Sequence, residues 1–265
     1  MDLGILGKTA LITGAQSGIG LTTAHTLAAE GVNLVLTDLD PQALERAAND
    51  LPGEPLCLTA DVTRQAEVDE LVAKGVQRFG AIDIVIHTAG VTGAKGDPLE
   101  LTDGDYEHAW QIDFFSAVRV ARATIPAMRD RGWGRFICIT SENSVQPYWE
   151  EAVYNTAKAA LSTFVKNLSY KEAAHGVLCN TVAPAFIASP MTDGMMTQRA
   201  DQLSVSFEEA IASFLENERP GIVAKRRGEA QEVAHVIAML VSQHASFVNG
   251  SNIRVDGGSV ISVQN

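Results

Sequence analysis

The stretch "TGAQSGIG" (residues 13–20) follows the apolar run "TALIT" (9–13) and opens a segment with a helical pattern. Gly14, Gly18 and Gly20 allow a tight turn and a close approach of the backbone to a ligand, because glycine has no Cβ. A helix that begins behind such a turn offers free N–H groups and the positive end of its dipole to a phosphate. This order of strand, turn and helix predicts a dinucleotide site, and a P-loop is excluded because no Gly-Lys-Ser/Thr follows.

Short apolar runs alternate with helical patterns along the chain. Runs that are apolar on both faces are typical of parallel strands covered by helices on each side. Seven such units predict an α/β fold, a Rossmann-like doubly wound seven-stranded parallel sheet with helices on both faces. The predicted strands are 9–13, 33–37, 55–59, 82–88, 135–140, 177–182 and 252–255. Helices are predicted near 18–30, 41–50, 64–79, 103–130, 151–174 and 229–243.

Residues 184–228, called the lid segment below, interrupt this alternation because no strand pattern is present up to Arg227. A long excursion of this kind is typical of a functional lid or a partner surface, and the alternative is a helix packed permanently on its own core. We expect a substrate lid inserted after the sixth strand of a single domain, residues 1–265. One helical face within it is apolar and consists of Phe207, Ile211, Phe214 and Leu215.

Composition excludes several classes of protein. The chain has 46% hydrophobic and 20% charged residues, which is typical of a globular protein with a core. Its 20 basic and 32 acidic side chains give a net charge of −12, which argues against nucleic acid or an anionic membrane as partner. No apolar run reaches the length of a membrane span and no charged leader precedes an apolar core, so a cytoplasmic protein is predicted.

The cysteines and histidines predict neither a disulfide framework nor a metal site. Cys57, Cys138 and Cys179 are far apart, lie in apolar runs and form no C-x-x-C motif, which fits buried thiols in a reducing compartment. The six histidines have no H-x-x-x-H or H-E-x-x-H spacing. We therefore expect no catalytic metal.

Asp38 ends the second predicted strand, where a Rossmann fold places the acid that accepts the ribose hydroxyls of the adenosine. Its charge would repel a 2′-phosphate, and the neighbours Gln16, Ser17 and Leu39 supply no arginine to counter that charge. NAD is therefore favoured over NADP as the cofactor. The alternative is that Asp38 caps the following helix together with Asp40.

Tyr154 and Lys158 lie in "YNTAK" (154–158) at the start of a predicted helix, four residues apart and therefore on one face. A lysine beside a tyrosine favours the phenolate and lowers the pKa of the tyrosine, as a general acid/base requires. Taken alone, the spacing equally fits a surface pair.

Several motifs in this order resemble the classical short-chain dehydrogenase/reductase family over essentially the whole chain. The strongest are T-G-x-x-x-G-x-G at 13–20, Ser141 thirteen residues before Tyr154, and Y-x-x-x-K. Further similar pieces are "ADV" (60–62), "TAG" (88–90), "NTVAPAFIAS" (180–189) and "NGSNIRVDGG" (249–258).

The resemblance implies an alcohol dehydrogenase or ketone reductase. Tyr154 would exchange a proton with the substrate oxygen, Lys158 would hold the nicotinamide ribose, and Ser141 would bind the substrate oxygen. The implied cofactor-binding residues are Gly14, Gln16, Ser17, Gly18, Ile19, Gly20, Asp38, Leu39, Asp61, Val62, Ala89, Gly90, Tyr154, Lys158, Pro184, Ile187 and Ser189.

The chain departs from the family pattern at four places. The asparagine of the central helix is Asp113, the glycine after Pro184 is Ala185, the threonine at 189 is Ser189, and the Asn-Asn pair is His87-Thr88. An ionised Asp113 near Lys158 would raise the pKa of the lysine and weaken its effect on the tyrosine. We expect Asp113 to be tolerated as part of the catalytic set, paired with a donor such as His87.

The resemblance implies a small alcohol or ketone as substrate, and an apolar pocket predicts a cyclic or aromatic secondary alcohol. Glu142 and Asn143 beside the site make a second hydroxyl or amino group on the substrate possible. The residues predicted to line this pocket are Asn143, Tyr148, Trp149, Phe186, Met191 and Met195; the alternative is that several of them pack the lid.

Two alternatives stay open. The first is an NADP-dependent ketoreductase similar to 3-oxoacyl reductases, which would need a basic residue to neutralise Asp38 and a basic docking patch such as Lys225, Arg226 and Arg227. The second is a non-catalytic nucleotide-binding regulator on the same fold. The resemblance also implies a homotetramer rather than a monomer.

Overall fold

A seven-stranded parallel sheet forms the centre of the protein in a computed structural model that describes residues 1–263. The strands lie in the order β3-β2-β1-β4-β5-β6-β7, so the predicted doubly wound fold is confirmed. Residues 264 and 265, the end of the predicted domain, lie outside the described range. The strands are β1 Thr9–Thr13, β2 Asn33–Thr37, β3 Leu56–Cys57, β4 Ile84–His87, β5 Gly134–Ile139, β6 Val177–Pro184 and β7 Asn252–Val255.

Helices cover both faces of the sheet, and each strand sends alternate side chains to each face. On β1, Ile12 packs into the cluster under α1 and α9, whereas Leu11 packs into the cluster under α3, α5 and α6. The helices are α1 Gly18–Ala29, α2 Pro41–Ala48, α3 Gln65–Phe79, α4 Asp103–Trp110, α5 Ser116–Asp130, α6 Ala152–Glu172, α7 Pro190–Leu203, α8 Phe207–Asn217 and α9 Ala230–Val241.

The predicted bounds hold for β1, β2 and β7, and the other strands differ at their ends. The third strand, predicted at 55–59, shortens to two residues because this edge strand pairs with β2 alone. The fourth, predicted at 82–88, ends at His87, since Thr88 turns away to bond the carbonyl of Thr13. The predicted helix 103–130 is divided by a π-helical turn.

That π-helical turn, Gln111–Phe115, joins α4 to α5. Here the Ser116 hydroxyl donates to the carbonyl of Ile112 and also contacts the buried ring of His87 on β4. A π turn inserts an extra residue into a helix and is frequent at functional sites. It places Asp113, which is fully buried, on the side of the helix that faces the carboxyl ends of the strands.

The lid segment forms α7 and α8, which pack on each other around a small apolar core of their own. The predicted face of Phe207, Ile211, Phe214 and Leu215 enters this core together with Phe186, Met196 and Ile222. A parallel bridge between Ile187 and Gly228 joins the two ends of the segment to each other. The two helices therefore behave as a packed unit at the carboxyl edge of the sheet.

Gly20 brings α1 close to the end of β1. A Cβ on Gly20 would collide with the carbonyl oxygen of Gly14 and lie 2.8 Å from the hydroxyl of Thr88. Gly14 has φ +64° and Gly18 has φ +54°, conformations that favour glycine. The three predicted glycines thus set the shape of the turn between β1 and α1.

We expect Gly20→Ala to lower the free energy of unfolding by about 1–3 kcal/mol, because the backbone of the turn must move to admit the methyl group. The matched control is Gly194→Ala in α7, where an added Cβ has open space. That change should stabilise the protein by about 0.5–1 kcal/mol, since alanine is the better helix former. Urea unfolding of both variants measures the difference, and equal stability would contradict the close packing of the turn.

Candidate active site

A cavity of about 820 Å³ lies at the carboxyl ends of the strands. Parallel α/β sheets bind ligands at this edge, where the chain connections diverge to either side. All residues predicted to be catalytic or to bind the cofactor line it, together with Met191 from the predicted substrate pocket. They are Gly14, Gln16, Ser17, Gly18, Ile19, Gly20, Asp38, Leu39, Asp61, Val62, Ala89, Gly90, Asp113, Ser141, Tyr154, Lys158, Pro184, Ile187 and Ser189.

The first turn of α1 is open at one end of this cavity. Ser17 is the N-cap residue, yet its side chain makes no capping hydrogen bond. By contrast, Asp40 caps α2 and Ser189 caps α7 with their side chains. The N–H groups at the start of α1 are therefore free of a side-chain cap, which suits a phosphate.

Asp38 accepts hydrogen bonds from the backbone N–H groups of Gln16 (3.2 Å) and Leu39 (2.8 Å). It does not cap α2, because Asp40 accepts from the first N–H groups of that helix. Asp61, the other acid at this end, accepts from Thr63. Among the described residues that line the cavity, Lys158 is the single lysine or arginine. Asp61 is also paired with the exposed Arg64 at 3.3 Å, whereas Asp38, within residues 1–263, accepts from backbone N–H groups alone.

Tyr154, Lys158 and Ser141 meet at the other end of the cavity. Helix α6 carries Tyr154 and Lys158 on one face, with the Lys158 Nζ 5.5 Å from the centre of the tyrosine ring. Ser141 follows β5 and forms a side-chain hydrogen bond with Tyr154. The Lys158 Nζ also donates to the carbonyl of Ile139, the last residue of β5. The lysine is thus held between the helix and the strand.

Asp113 forms a buried ion pair with Lys158, at 2.9 Å between Oδ1 and Nζ. The side chain of Lys158 is 5% exposed and that of Asp113 is fully buried. The carboxylate also accepts from the N–H of Val91 (3.2 Å). Asp113 therefore has a donor, but the expected pairing with His87 is wrong.

His87 is occupied elsewhere. Its Nδ1 lies 3.0 Å from the Thr13 hydroxyl and its Nε2 lies 2.9 Å from the Ser116 hydroxyl, so both ring nitrogens bind side chains on β1 and α5. Burial, and then the charge of Lys158, lowers the pKa of His87 to about 3. The imidazole is neutral and connects the end of β1 to the π-helical turn.

The pKa of Tyr154 is raised, against the lowering that the sequence predicts. Burial has the largest effect, and the carboxylate of Asp113 adds to it, while Lys158 acts in the opposite direction. For Lys158, burial has the largest single effect and opposes the ammonium form, but Asp113 and Tyr154 together outweigh it and the pKa is raised. The expected effect of Asp113 on the lysine is present, and Tyr154 stays protonated at neutral pH.

Five of the six residues predicted for the substrate pocket lie outside the wall of this cavity. Asn143 is buried behind Ser141, and Tyr148 packs against the guanidinium of Arg219. Trp149 is 66% exposed, whereas Phe186 and Met195 belong to the core of the lid segment. Phe186 and Met195 thus pack the lid segment, which is the alternative that the sequence left open.

Other wall residues escaped prediction from the sequence. Val91 and Thr192 line the cavity, and Val91 also supplies a backbone donor to Asp113. Thr192 follows Ser189 by three residues, and this spacing of a capping box is the signal that marks the start of α7. The sequence gives no such signal for Val91, because the contact with Asp113 is made by its backbone N–H, which every residue except proline has.

Residues 1–263 contain no helix long and apolar enough to cross a membrane. Over the same range, no three His, Cys, Asp or Glu side chains cluster in a way that could hold a metal ion.

Comparison with known proteins gives matches along nearly the whole chain. A family model described as enoyl-(acyl carrier protein) reductase matches residues 14–260. The 2,3-dihydro-2,3-dihydroxybenzoate dehydrogenase of Bacillus subtilis (strain 168) is 32% identical over 263 residues, 98% of each chain. The 3-oxoacyl-[acyl-carrier-protein] reductase of Escherichia coli (strain K12) is 30% identical over 256 residues, 95% of this chain and 97% of that relative.

A solved structure shares the fold. L-sorbose reductase from Gluconobacter frateurii, complexed with NADPH and L-sorbose, superposes with a TM-score of 0.93 at 31% identity. The match covers 99% of this chain and 100% of that one.

His87 makes stability depend on pH. Its pKa is about 3 in the folded protein and near 6.5 when unfolded, so between these values the unfolded chain binds more protons. Stability should fall as the pH drops below about 6.5, with a slope from this residue approaching ~1.4 kcal/mol per pH unit.

We expect His87→Asn to remove that slope, and the exposed His235→Gln on α9 to retain it. Denaturant unfolding between pH 4 and pH 8 measures the three slopes. A slope in His87→Asn that equals that of the wild type would contradict a buried neutral imidazole.

Proposed function

This chain belongs to the classical short-chain dehydrogenase/reductase family, whose oxidoreductases act on alcohols and ketones, and we propose that it is an NAD(H)-dependent member. The observation that carries the proposal is the meeting of Ser141, Tyr154 and Lys158 at one end of a cavity whose other end suits a dinucleotide. A non-catalytic nucleotide-binding protein would have no use for these three side chains at hydrogen-bonding distance from one site.

The fit of NAD rests on two features of the cavity. The uncapped start of α1 and the glycine turn suit a pyrophosphate. Asp38 stands at the end of β2 with no lysine or arginine in the wall nearby, so a 2′-phosphate would meet a carboxylate without a neutralising cation. Asp61, Val62, Ala89 and Gly90 would surround the adenosine and ribose, while Pro184, Ile187 and Ser189 would support the nicotinamide.

The bound nicotinamide would supply or accept the hydride. Tyr154 gives its phenolic proton to the ketone oxygen, or takes a proton from the alcohol in the reverse direction. Ser141 binds the same oxygen and stabilises the charge that develops on it. Lys158, fixed by Asp113 and the carbonyl of Ile139, keeps a positive charge next to the phenol.

The raised pKa of Tyr154 favours one direction near neutral pH. A protonated phenol is a general acid, so ketone reduction proceeds with the tyrosine already in the required form. Alcohol oxidation needs the phenolate, which becomes available as the pH rises toward the pKa of Tyr154. Assays of oxidation are therefore best made at alkaline pH.

An NADP-dependent ketoreductase is the main alternative. The structurally similar L-sorbose reductase was solved with NADPH, so the shared fold accommodates that cofactor. A reductase of carrier-bound acyl chains would in addition need a basic docking patch, and the sequence offers Lys225, Arg226 and Arg227. Arg226 is paired with Glu232 and Arg227 with Asp193, both at 2.7 Å, which neutralises most of this patch and argues against that substrate.

The proposed substrate is a secondary alcohol or its ketone, cyclic or aromatic, with a second oxygen near the reacting carbon. The names of the similar dihydroxybenzoate dehydrogenase and L-sorbose reductase indicate substrates with neighbouring oxygens. In this chain Met191, half exposed at the mouth of the cavity, offers an adaptable apolar contact. A vicinal diol or hydroxyketone on a ring fits both observations.

We further propose that the protein works as a cytoplasmic homotetramer, with one domain per chain and residues 184–228 acting as the substrate lid. Large apolar side chains near the carboxyl end, Phe247, Ile261 and Val263, are almost fully exposed in the single chain. Such side chains are commonly covered by another subunit.

The test is formation of NADH from NAD⁺ over a panel of cyclic, aromatic and vicinal-diol secondary alcohols at alkaline pH, with NADP⁺ in parallel. We expect turnover with NAD⁺ well above that with NADP⁺. Tyr154→Phe should lose at least ~100-fold in kcat, because proton transfer to the substrate oxygen is lost, while NADH still binds.

The control is Tyr170→Phe, which removes the same atom from an exposed tyrosine on the same helix and should leave turnover unchanged. Full activity of Tyr154→Phe, or a clear preference for NADP⁺, would overturn the corresponding part of the proposal.

A further inference from the structure

A polar network that the proposed mechanism does not use lies directly behind Ser141. It begins at Arg219, which follows α8 in the lid segment and is 9% exposed. Its guanidinium lies 3.4 Å from the centre of the Tyr148 ring and 5.2 Å from that of Phe214. An arginine buried between two aromatic rings needs acidic partners to compensate for lost hydration.

Glu151, just before α6, is the partner that connects Arg219 to the catalytic centre. Its Oε2 accepts from the Arg219 Nη2 at 3.0 Å and from the Asn143 Nδ2 at 2.7 Å. Its Oε1 pairs with Lys95 at 2.7 Å. Arg219 also contacts Glu142 through Nε, at 3.4 Å. Glu151 Oε2 therefore accepts hydrogen bonds both from Arg219 in the lid segment and from Asn143 behind Ser141.

Asn143 has only one orientation that satisfies these partners. Its Nδ2 donates to both Glu151 Oε2 and Asn155 Oδ1 (2.8 Å), so both amide hydrogens are used. The amide oxygen must then face Ser141, whose hydroxyl donates to it at 3.0 Å. The Asn143 N–H in turn donates to the Ser141 oxygen (3.2 Å), which closes a small ring around the serine.

We propose that Arg219 is a positioning residue for Ser141, acting through Glu151 and Asn143 to hold the Ser141 Oγ beside Tyr154. The inference rests on the proposed function, in which Ser141 binds the substrate oxygen; the hydroxyl hydrogen lies on Asn143 Oδ1 until the substrate oxygen replaces it as the acceptor. Arg219 fixes Glu151, Glu151 fixes the amide of Asn143, and the amide oxygen together with the Asn143 N–H fixes the position of the Ser141 Oγ.

This chain of contacts makes the catalytic serine sensitive to the lid segment. Arg219 reaches Glu151 only when α8 is packed in the position that the structure shows, because Phe214 on α8 covers the guanidinium. A shift of about 1 Å in a catalytic group can reduce turnover by up to ~100-fold, so a displaced lid segment would leave the serine misdirected. Substrates that seat the lid segment correctly would therefore be turned over fastest.

Arg199 provides a matched control within the same segment. It also lies beside Phe214, at 5.7 Å from the ring centre, and it joins α7 to α8 through Ser213 (3.0 Å) and Glu218 (3.4 Å). Within the described residues, its hydrogen bonds and ion pairs go to Ser213 and Glu218 and not to Glu142 or Glu151. Arg199→Met therefore removes a lid-stabilising arginine without touching the network behind Ser141.

The experiment compares kcat, KM and the Kd for NADH in Arg219→Met, Arg219→Lys and Arg199→Met, with the alcohol that the wild type turns over best. We expect Arg219→Met to lower kcat by about 10- to 100-fold with little change in the Kd for NADH. Arg219→Lys should recover part of this loss, since lysine can still pair with Glu151, and Arg199→Met should stay within about threefold of the wild type.

Asn143→Ala supplies a second route if Arg219→Met folds poorly. It removes the acceptor for the Ser141 hydroxyl without altering the lid segment, and it should lower kcat to a similar extent. Adding Arg219→Met to Asn143→Ala should then cause no further loss. Losses that multiply, or an equal loss in Arg199→Met, would overturn the proposal.

Crystal structures of Arg219→Met and Arg199→Met give a readout that needs no activity. The Ser141–Asn143 side-chain hydrogen bond should be lost or lengthened in the first and kept in the second. If the wild type turned over no alcohol, the proposed function would fail, whereas an unchanged Asn143 in Arg219→Met would refute the positioning role alone.

Discussion

The buried ion pair between Lys158 and Asp113 is the constraint on which the arrangement of the site depends. Three elements meet at it: α6 carries the lysine, the π-helical turn carries the aspartate, and the last carbonyl of β5 accepts a second bond from the ammonium. Gly90 makes room for it, since a Cβ there would lie 2.5 Å from Asp113 Oδ1. Removing one member of such a pair leaves an unpaired buried charge, at a typical cost of about 3–5 kcal/mol.

The pair also links the fold to the chemistry. Burial, with Asp113 adding to it, raises the pKa of Tyr154, and Asp113 also raises that of Lys158, so the tyrosine holds its proton at neutral pH although a cation lies beside it. His87 keeps the π-helical turn in place by contacting Ser116, and its neutral ring adds no further charge. The end of the cavity that holds Ser141 and Tyr154 is therefore shaped by the Lys158–Asp113 ion pair and by the neutral ring of His87.

The sequence predicts those parts of the molecule whose structure is determined by residues close together along the chain. The alternation of apolar runs predicts the sheet, because buried strands require apolar residues along a short stretch. Gly14, Gly18 and Gly20 predict the turn between β1 and α1, because positive φ at Gly14 and Gly18 favours glycine. No short sequence pattern indicates the π-helical turn, the partner of Asp113 or the contact of Arg219 with Glu151. Arg219 and Glu151 are 68 residues apart, and packing of the lid segment alone brings them together.

The central claim is that the charge of Asp113 adds to the effect of burial in raising the pKa of Tyr154, and the pH profile of alcohol oxidation by Asp113→Asn tests it most directly. Asparagine keeps an acceptor for Lys158 and removes the negative charge, so the pKa of Tyr154 should fall. NADH formation should then rise at lower pH than in the wild type, while the exposed Asp130→Asn leaves the profile in place. A profile in Asp113→Asn that stays unmoved, or shifts to higher pH, would contradict the account.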